Sequence, residues 1–184
     1  MTKKALVIFA EGAEDIELII TVDLLRRAEI DVTIGGLAGK DAVRTVQKVM
    51  ITPDAALADV KDEFDVVIIP GGPGADKLCE SDKVGKILQA QYKAKKLIAA
   101  ICGAPKVLNA HKIAPGCEVT SFPKVKDEMI KGGYKYSENS VVLSDNVLTS
   151  RGPGTAPEFA LKIVELLVGE QKAHEIKEEL LFKF

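Results

Sequence analysis

A lone cysteine, Cys102, stands in the stretch LIAAICGAPKVL (residues 97–108), between a short apolar run and several small residues. An apolar run that passes through small residues directly into a helical stretch is typical of a nucleophile elbow, a tight turn that projects a reactive side chain. The start of the following helix would lower the pKa of the thiol and favour the thiolate. Most free cysteines are instead small buried hydrophobic residues, and composition alone slightly favours that alternative.

A glycine-rich loop is the second feature that could assist a thiol. In PGGPGA (residues 70–75) a backbone N–H could face the sulfur. Together with the N–H that follows Cys102, it would form an oxyanion hole. The same glycines could form only a tight turn. A phosphate-binding loop is disfavoured, because neither of the usual glycine-rich phosphate motifs occurs in the chain.

Glu17 is the third candidate, because it is flanked by Ile16, Leu18, Ile19 and Ile20 one turn into the first predicted helix. A carboxyl group in apolar surroundings tends to stay protonated, and it could then donate a hydrogen bond to a thiolate or relay a proton. The alternative is an ordinary solvated helix residue, and the residues alone favour that alternative.

The two histidines narrow the kinds of cysteine chemistry that the chain can perform. His111 follows Cys102 by nine residues on the same predicted helix, which separates the two by roughly 13 Å. His174 lies in the polar C-terminal helix. A cysteine hydrolase normally needs an imidazole base. The sequence therefore disfavours a peptidase or a glutamine amidotransferase.

Alternating strands and helices must position these residues. Apolar runs that end in turns predict buried parallel strands. The four strongest are KALVIFA, DVTIGGL, FDVVIIP and LIAAIC. Repeated units of strand and helix predict an α/β fold, a three-layer α/β/α sandwich with a mostly parallel central sheet. Ligands bind such sheets at the carboxyl ends of the strands, so we expect the loops AEGAED, PGGPGA and CGAP to converge on one site.

Several smaller elements follow from local patterns. The first helix, EDIELIITVDLLRRAEI, is predicted to bury one face, formed by Ile16, Ile19, Ile20, Leu24 and Leu25.

Turn residues and proline define the remaining elements. AVRTVQKVMITPD predicts a hairpin or an edge element, AALADV a short helix and VTSFP a short strand. A hairpin turn is expected near residues 144–146. The helix APEFALKIVELLVG has a proline in its first turn and a glycine at its C-terminal cap.

Composition limits the classes of protein to which the chain can belong. Its 184 residues are 47% hydrophobic and 28% charged, with a net charge of −2, which predicts one domain over residues 1–184 and no nucleic-acid surface. No apolar run approaches the roughly 20 residues that a membrane span needs. Cys79, Cys102 and Cys117 show no paired spacing, so we expect no disulfide framework, no metal site and a reducing compartment, the cytosol.

Four stretches, taken together, resemble the Parkinsonism-associated DJ-one branch of the ThiJ/PfpI superfamily, and the resemblance covers essentially the whole chain. They are KALVIFAEGAEDIE, DVVIIPGG, LIAAICGAP and LTSRGPGTAPEFALKIVELL. The resemblance implies a flavodoxin-like sandwich and a homodimer that packs partly through the first helix. It also implies that no cofactor is needed, and that the protein is cytoplasmic, with the nucleus and mitochondria as further compartments.

The resemblance implies roles for individual residues as well. Cys102 matches the reactive cysteine on the family's elbow. Glu17 matches a buried, protonated glutamic acid that hydrogen-bonds this sulfur. Gly72 matches a backbone donor at the site, and Gly103 lies beside it. These matches make Cys102 the strongest candidate for a nucleophile.

Three further residues are expected near the site. Arg27 and Arg151 fall in matching motifs, and we expect structural or dimer-contact roles for them. Phe122 stands where vertebrate relatives carry a histidine near the active cysteine, so it removes a candidate proton carrier and should lower or alter glyoxalase turnover.

Other departures affect secondary sites. Thr45 and Thr52 replace two further cysteines of vertebrate relatives, so redox signalling there is not expected. The PGGPGA loop is one residue shorter than in close relatives, and Cys79 and Cys117 have no clear counterpart.

Members of this family are described as cofactor-independent glyoxalases, which convert methylglyoxal or glyoxal to the hydroxy acid, and as protein or nucleotide deglycases. They are also described as chaperones and as oxidative-stress sensors whose cysteine becomes a sulfinate. The resemblance therefore implies a protective thiol enzyme that acts on small dicarbonyls or their adducts through Cys102. The alternative is a redox sensor or chaperone whose Cys102 is oxidised without turning over substrate.

Overall fold

The computed structural model of the protein describes residues 2–184, in which strands and helices alternate along the chain. The strands are β1 (Lys4–Phe9), β2 (Asp31–Gly36), β3 (Val43–Arg44), β4 (Met50–Ile51), β5 (Ala55–Ala56), β6 (Val66–Ile69), β7 (Leu97–Ile101), β8 (Glu118–Val119), β9 (Lys135–Tyr136), β10 (Val141–Ser144) and β11 (Val147–Ser150). The helices are α1 (Asp15–Arg27), α2 (Gly74–Cys79), α3 (Asp82–Lys93), α4 (Pro105–Ala110), α5 (Lys126–Lys131), α6 (Ala156–Val168) and α7 (Glu170–Glu179).

The seven-stranded sheet has the order β10-β11-β7-β6-β1-β2-β5. Its strand pairs are parallel except for the antiparallel pair β10–β11 at one edge. Side chains of β1 alternate between two buried clusters: Val7 and Phe9 pack with α1 and α6, while Leu6 and Ile8 pack with α3 and α4. Because both faces of the sheet are covered by helices, the predicted three-layer sandwich with a mostly parallel sheet is confirmed.

The face that α1 buries agrees with the prediction at Leu24 and Leu25, and Ile20 packs partly against the core, but it differs at Ile16 and Ile19. Ile16 and Ile19 are 47% and 48% exposed. Besides Leu24 and Leu25, the helix buries Glu17, Leu18, Thr21 and Val22. They recur at the helical spacing of three and four residues, as the packed stripe of a helix must. The isoleucines therefore form an apolar outer face, and Glu17 lies on the inner one.

The stretch AALADV is not a helix. Ala55 and Ala56 form the short edge strand β5, which pairs in parallel with Gly35 and Gly36 of β2. The strand β2 would otherwise present unpaired backbone groups at the sheet edge, and this tertiary pairing outweighs a weak helical pattern. Just before β5, the Asp54 carboxylate accepts a hydrogen bond of 2.8 Å from the backbone N–H of Ile34 in β2.

Both predicted hairpins are confirmed. Strands β3 and β4 pair antiparallel in a small sheet of their own. The Asp15 carboxylate ties this hairpin to the first turn of α1, because it accepts hydrogen bonds from the Thr45 hydroxyl and the Gln47 backbone N–H. Strands β10 and β11 pair around a turn in which Asp145 has φ +55°.

The chain after Cys102 is only partly as predicted. In VTSFP only Val119 lies in a strand: β8 pairs with β9 in a separate small sheet. Helix α6 has Pro157 in its first turn and is capped by Gly169, as expected. No helix within residues 2–184 combines the length and apolarity that a membrane crossing requires.

Candidate active site

Cys102 follows β7 directly and has φ +65°. A positive φ is uncommon for a residue with a side chain and marks a strained turn. Neighbouring segments hold this turn on both sides: the Cys102 N–H donates to the Ser150 carbonyl over 2.9 Å, and the Phe122 N–H donates to the Cys102 carbonyl over 2.8 Å. The side chain is partly buried. This is the geometry of the predicted elbow.

Glu17 is completely buried, in contrast to the solvated position that its neighbours in the sequence favour. The Glu14 carboxylate caps α1 by accepting a hydrogen bond of 2.9 Å from the Glu17 N–H, which fixes the first turn of the helix. The Glu17 side chain then reaches inward, where Oε2 accepts a hydrogen bond of 2.7 Å from the backbone N–H of Gly71. Oε1 is buried without a hydrogen-bond partner of good geometry among the described residues.

Burial raises the pKa of Glu17 to about 7, although its interactions with the Cys102 thiol and the Gly71 N–H act in the opposite direction. A carboxyl group with such a pKa can both accept and release a proton near neutral pH, which is the property that general acid–base catalysis needs.

Gly71 lies where the cysteine and the glutamate meet. A Cβ atom at this position would stand 2.6 Å from Oε2 of Glu17 and 2.7 Å from Cβ of Cys102. The two functional side chains therefore approach the same point, and only glycine fits between them. At the next residue, Gly72, φ is +85° and a Cβ atom would stand 2.5 Å from the Gly12 carbonyl oxygen.

Two backbone N–H groups face the sulfur. The interactions of the Gly103 and Gly72 N–H groups with the Cys102 side chain both lower the pKa of the thiol. The Gly71 carbonyl accepts a hydrogen bond of 3.0 Å from the Glu14 N–H, so the glycine loop is anchored to the start of α1. The structure thus brings Cys102, Glu17 and these two donors together, an arrangement that can stabilise negative charge on an atom bonded to the sulfur.

The predicted lowering of the Cys102 pKa is wrong. Burial, and after it the negative charge of Glu17, raise the pKa of this thiol to about 12 in spite of the two N–H donors. The following helix, α4, has only six residues and begins at Pro105, so its dipole does not outweigh desolvation. The effect of the Glu17 charge disappears when Glu17 is protonated, and the two groups therefore titrate as a pair.

The three residues expected around the site lie at different distances from it. Arg27 is at the far end of α1, ten residues after Glu17, or roughly 15 Å along the helix. There it binds Asp23 and Glu179. The prediction that Arg27 lies near the site is therefore wrong for a single chain, in which Arg27 and Glu17 lie at opposite ends of α1.

Arg151 and Phe122 do lie beside the elbow. Arg151 follows Ser150, and its guanidinium donates to the backbone carbonyls of Ser121 and Glu138, a structural role as expected. The Phe122 backbone N–H donates a hydrogen bond to the Cys102 carbonyl.

The histidines are engaged elsewhere. A ring nitrogen of His111 contacts the Leu78 carbonyl at 2.9 Å, and His174 lines a surface groove between α6 and α7. Burial raises the pKa values of both Cys79 and Cys117 to about 11. Within residues 2–184, no cluster of three or more histidine, cysteine, aspartate or glutamate side chains could hold a metal ion.

Three contributors to the site were not predicted from the sequence: Gly71, Ser150 and Glu14. The doubled glycine in PGGPGA is a signal for the first. An acidic residue three positions before Glu17 is a signal for the helix cap. Nothing in the sequence points to the Ser150 carbonyl, because that contact forms between parallel neighbours β7 and β11.

Comparison with known proteins gives one consistent result. The model of the DJ-1/PfpI family matches residues 3–166. The chain is 51% identical over 185 residues to the Parkinson disease protein 7 homolog of Danio rerio, with 98% of each chain covered. It is 48% identical over 180 residues to the glutathione-independent glyoxalase DJR-1.2 of Caenorhabditis elegans, covering 97% of this chain and 96% of that one. The crystal structure of Drosophila melanogaster DJ-1beta superimposes with a TM-score of 0.97 at 49% identity, over the full length of both chains.

Proposed function

The chain belongs to the DJ-1/PfpI family, and on that basis we propose that it is a glyoxalase-type thiol enzyme in which Cys102 is the nucleophile. Its substrates are methylglyoxal, glyoxal or adducts of these dicarbonyls, and it needs no cofactor. The relative DJR-1.2, which is named a glutathione-independent glyoxalase, supports this reaction class. The observation that carries the proposal is the meeting of Cys102, Glu17 and two backbone N–H groups at one point.

In the first step, the Cys102 sulfur attacks the aldehyde carbon of the dicarbonyl while the Glu17 carboxylate accepts the thiol proton. This route suits a thiol whose pKa is raised, because the proton leaves as the S–C bond forms. The N–H groups of Gly72 and Gly103 stabilise the oxyanion, which is then protonated to give a hemithioacetal.

In the second step, Glu17 relays a proton from the former aldehyde carbon to the neighbouring carbon through an enediol. The first carbon is oxidised and the second is reduced, so the rearrangement needs no external oxidant. The product is a thioester of the hydroxy acid. Water then hydrolyses the S–C bond, and the free acid and the Cys102 thiol are released.

The test is the formation of lactate from methylglyoxal. We expect the wild type to form lactate, Cys102→Ala to form none and Glu17→Gln to lose at least about a hundredfold in kcat, as is usual when a general base is removed. Cys79→Ala and Cys117→Ala are the matched controls and should keep wild-type rates. If the wild type forms no lactate, the enzyme proposal fails.

A redox sensor is the second candidate, because the same groups would hold an oxidised sulfur. The N–H groups of Gly72 and Gly103 and a protonated Glu17 can all donate to sulfinate oxygens. Burial raises the pKa values of all three thiols, so thiol acidity alone does not favour oxidation of Cys102 over Cys79 or Cys117.

Peroxide treatment separates these two influences. We expect mass spectrometry after mild peroxide to find a two-oxygen adduct on Cys102 before the other cysteines, because stabilisation of the product governs which thiol is oxidised. Earlier modification of Cys79 or Cys117 would contradict the sensor candidate.

The working assembly that we propose is a homodimer in a reducing compartment, the cytosol. The exposed isoleucines Ile16 and Ile19 form an apolar face on α1, and Val49 and Met50 of the neighbouring hairpin are 51% and 54% exposed. A second copy of the chain would bury these side chains. The three free cysteines support a reducing compartment.

A further inference from the structure

Phe122 is placed beside the elbow by its own backbone. Its N–H donates to the Cys102 carbonyl over 2.8 Å. The preceding residue, Ser121, is completely buried, and its hydroxyl and carbonyl oxygens both bond the Tyr136 hydroxyl at 3.0 Å. Hydrogen bonds therefore anchor the backbone at Phe122 and at the preceding residue. The backbone that carries the ring is held next to the elbow.

The ring of Phe122 lies over Gly152. A Cβ atom at Gly152 would meet only two atoms within 4 Å, and both belong to this ring, at 3.4 and 3.9 Å. Gly152 is buried, and it follows the Ser150–Arg151 segment whose Ser150 carbonyl holds the Cys102 N–H. One side of the ring, at Cδ2 and Cε2, thus packs against the loop that supports the nucleophile.

The rest of the ring is available for contact. Phe122 remains 37% exposed, although covering an aromatic side chain is favourable in free energy. On the elbow itself, no atom lies within 4 Å of a Cβ built at Gly103. Open space therefore borders the elbow at Gly103, and the exposed ring belongs to the residue whose backbone N–H is hydrogen-bonded to the Cys102 carbonyl.

From this arrangement we infer that Phe122 is a specificity-determining residue, whose ring contacts the substituent on the dicarbonyl. Cys102 then reacts best with 2-oxoaldehydes that carry a hydrocarbon chain longer than a methyl group. The inference rests on the proposed function for the identity of the reacting group, but the apolar contact itself requires only that a molecule binds at Cys102. Each methylene that covers the ring should raise the rate constant by up to about fourfold.

The first experiment measures kcat/KM for the series glyoxal, methylglyoxal, 2-oxobutanal, 2-oxopentanal and 2-oxohexanal. In the wild type we expect a rise with chain length, mainly through a lower KM. Phe122→Ala should flatten the series, whereas Phe122→Leu should keep most of the dependence and shows that the protein still folds. Phe184→Ala removes another exposed ring far along the chain and should leave the dependence unchanged. A wild-type series without a rise, or a rise that Phe122→Ala retains, would overturn the inference and leave the proposed function intact.

The second experiment does not depend on turnover. The rate of alkylation of Cys102 by N-methyl-, N-ethyl-, N-propyl- and N-butylmaleimide is followed by mass spectrometry, and Cys79 and Cys117 of the same molecule serve as internal controls. We expect the rate at Cys102 alone to rise with chain length, and to lose this rise in Phe122→Ala. If no aldehyde is turned over, the proposed function fails, and this series still decides whether Phe122 contacts the alkyl group. An equal dependence at all three cysteines would overturn the inference.

Discussion

Cys102 and Glu17 show how burial changes the chemistry of a pair of residues. The thiol alone would be a poor nucleophile, because its pKa is raised. A neighbouring carboxyl group whose pKa is about 7 can supply the missing base. Two groups whose environments set them for opposite roles are a common sign of acid–base chemistry. The reactivity of the pair therefore depends on transfer of the thiol proton to Glu17.

The raised pKa of Glu17 also makes stability depend on pH. Below about pH 4.5 Glu17 is protonated in both the folded and unfolded chain, whereas above about pH 7 it is charged in both, and only the folded chain bears the cost of a buried charge. The free energy of unfolding should fall as pH rises through this window, by up to about 3 kcal/mol from this group.

Urea denaturation of the wild type and Glu17→Gln at pH 5 and pH 8 checks this prediction. The variant should lose less stability than the wild type between the two pH values. Parallel losses in the two proteins would show that Glu17 does not titrate in this range.

At the scale of elements, the site is the junction of two loops and a helix start. The loop after β6 enters between α1 and the elbow, where Gly71 leaves no room for a Cβ atom. The lack of space at Gly71 and the positive φ at Gly72 therefore both require glycine in this loop.

Gly71→Ala tests this fit. The added methyl group would collide with Glu17 and Cys102, so we expect a loss of roughly 1–3 kcal/mol in stability and at least about a tenfold loss in lactate formation, since small displacements of reacting groups are costly. Thermal melting and the lactate assay measure the two effects. Gly154→Ala is the matched control, because no atom lies within 4 Å of a Cβ at that position. Wild-type behaviour of Gly71→Ala would contradict the described junction.

Elements with a strong local pattern could be predicted from the sequence, and those decided by tertiary contacts could not. The strand LIAAI and the elbow follow from apolar and small residues before and after Cys102. The burial of Glu17 does not, because the isoleucines around it suggest the wrong buried face for α1. Gly71 and Ser150 contribute through contacts that only the folded sheet creates, and the same holds for β5, where pairing with β2 replaces a predicted helix.

At the scale of the molecule, the outer face of α1 links the site to assembly. Ile16 and Ile19 flank Glu17 in sequence but face outward. A partner that covers them would therefore pack on the helix whose inner face carries the buried Glu17 carboxyl group.

Ile19→Asp should disrupt the proposed homodimer, because it would bury an unpaired charge in the interface. We expect the dimer dissociation constant to rise at least about a hundredfold, as measured by analytical ultracentrifugation. Leu143→Asp alters a similarly exposed residue on β10 and should leave the dimer intact. A wild type that sediments as a monomer would contradict the prediction directly.

Asp54 has a consequence for how the protein avoids aggregation. The strand β5 is only two residues long and covers only Gly35 and Gly36 at the outer edge of β2. Further back along that edge, the carboxylate of Asp54 occupies the N–H of Ile34. An incoming strand from another molecule would have to displace a charged side chain before it could extend the sheet. This one carboxylate therefore helps to prevent the open edge of a hydrophobic sheet from nucleating intermolecular β-structure.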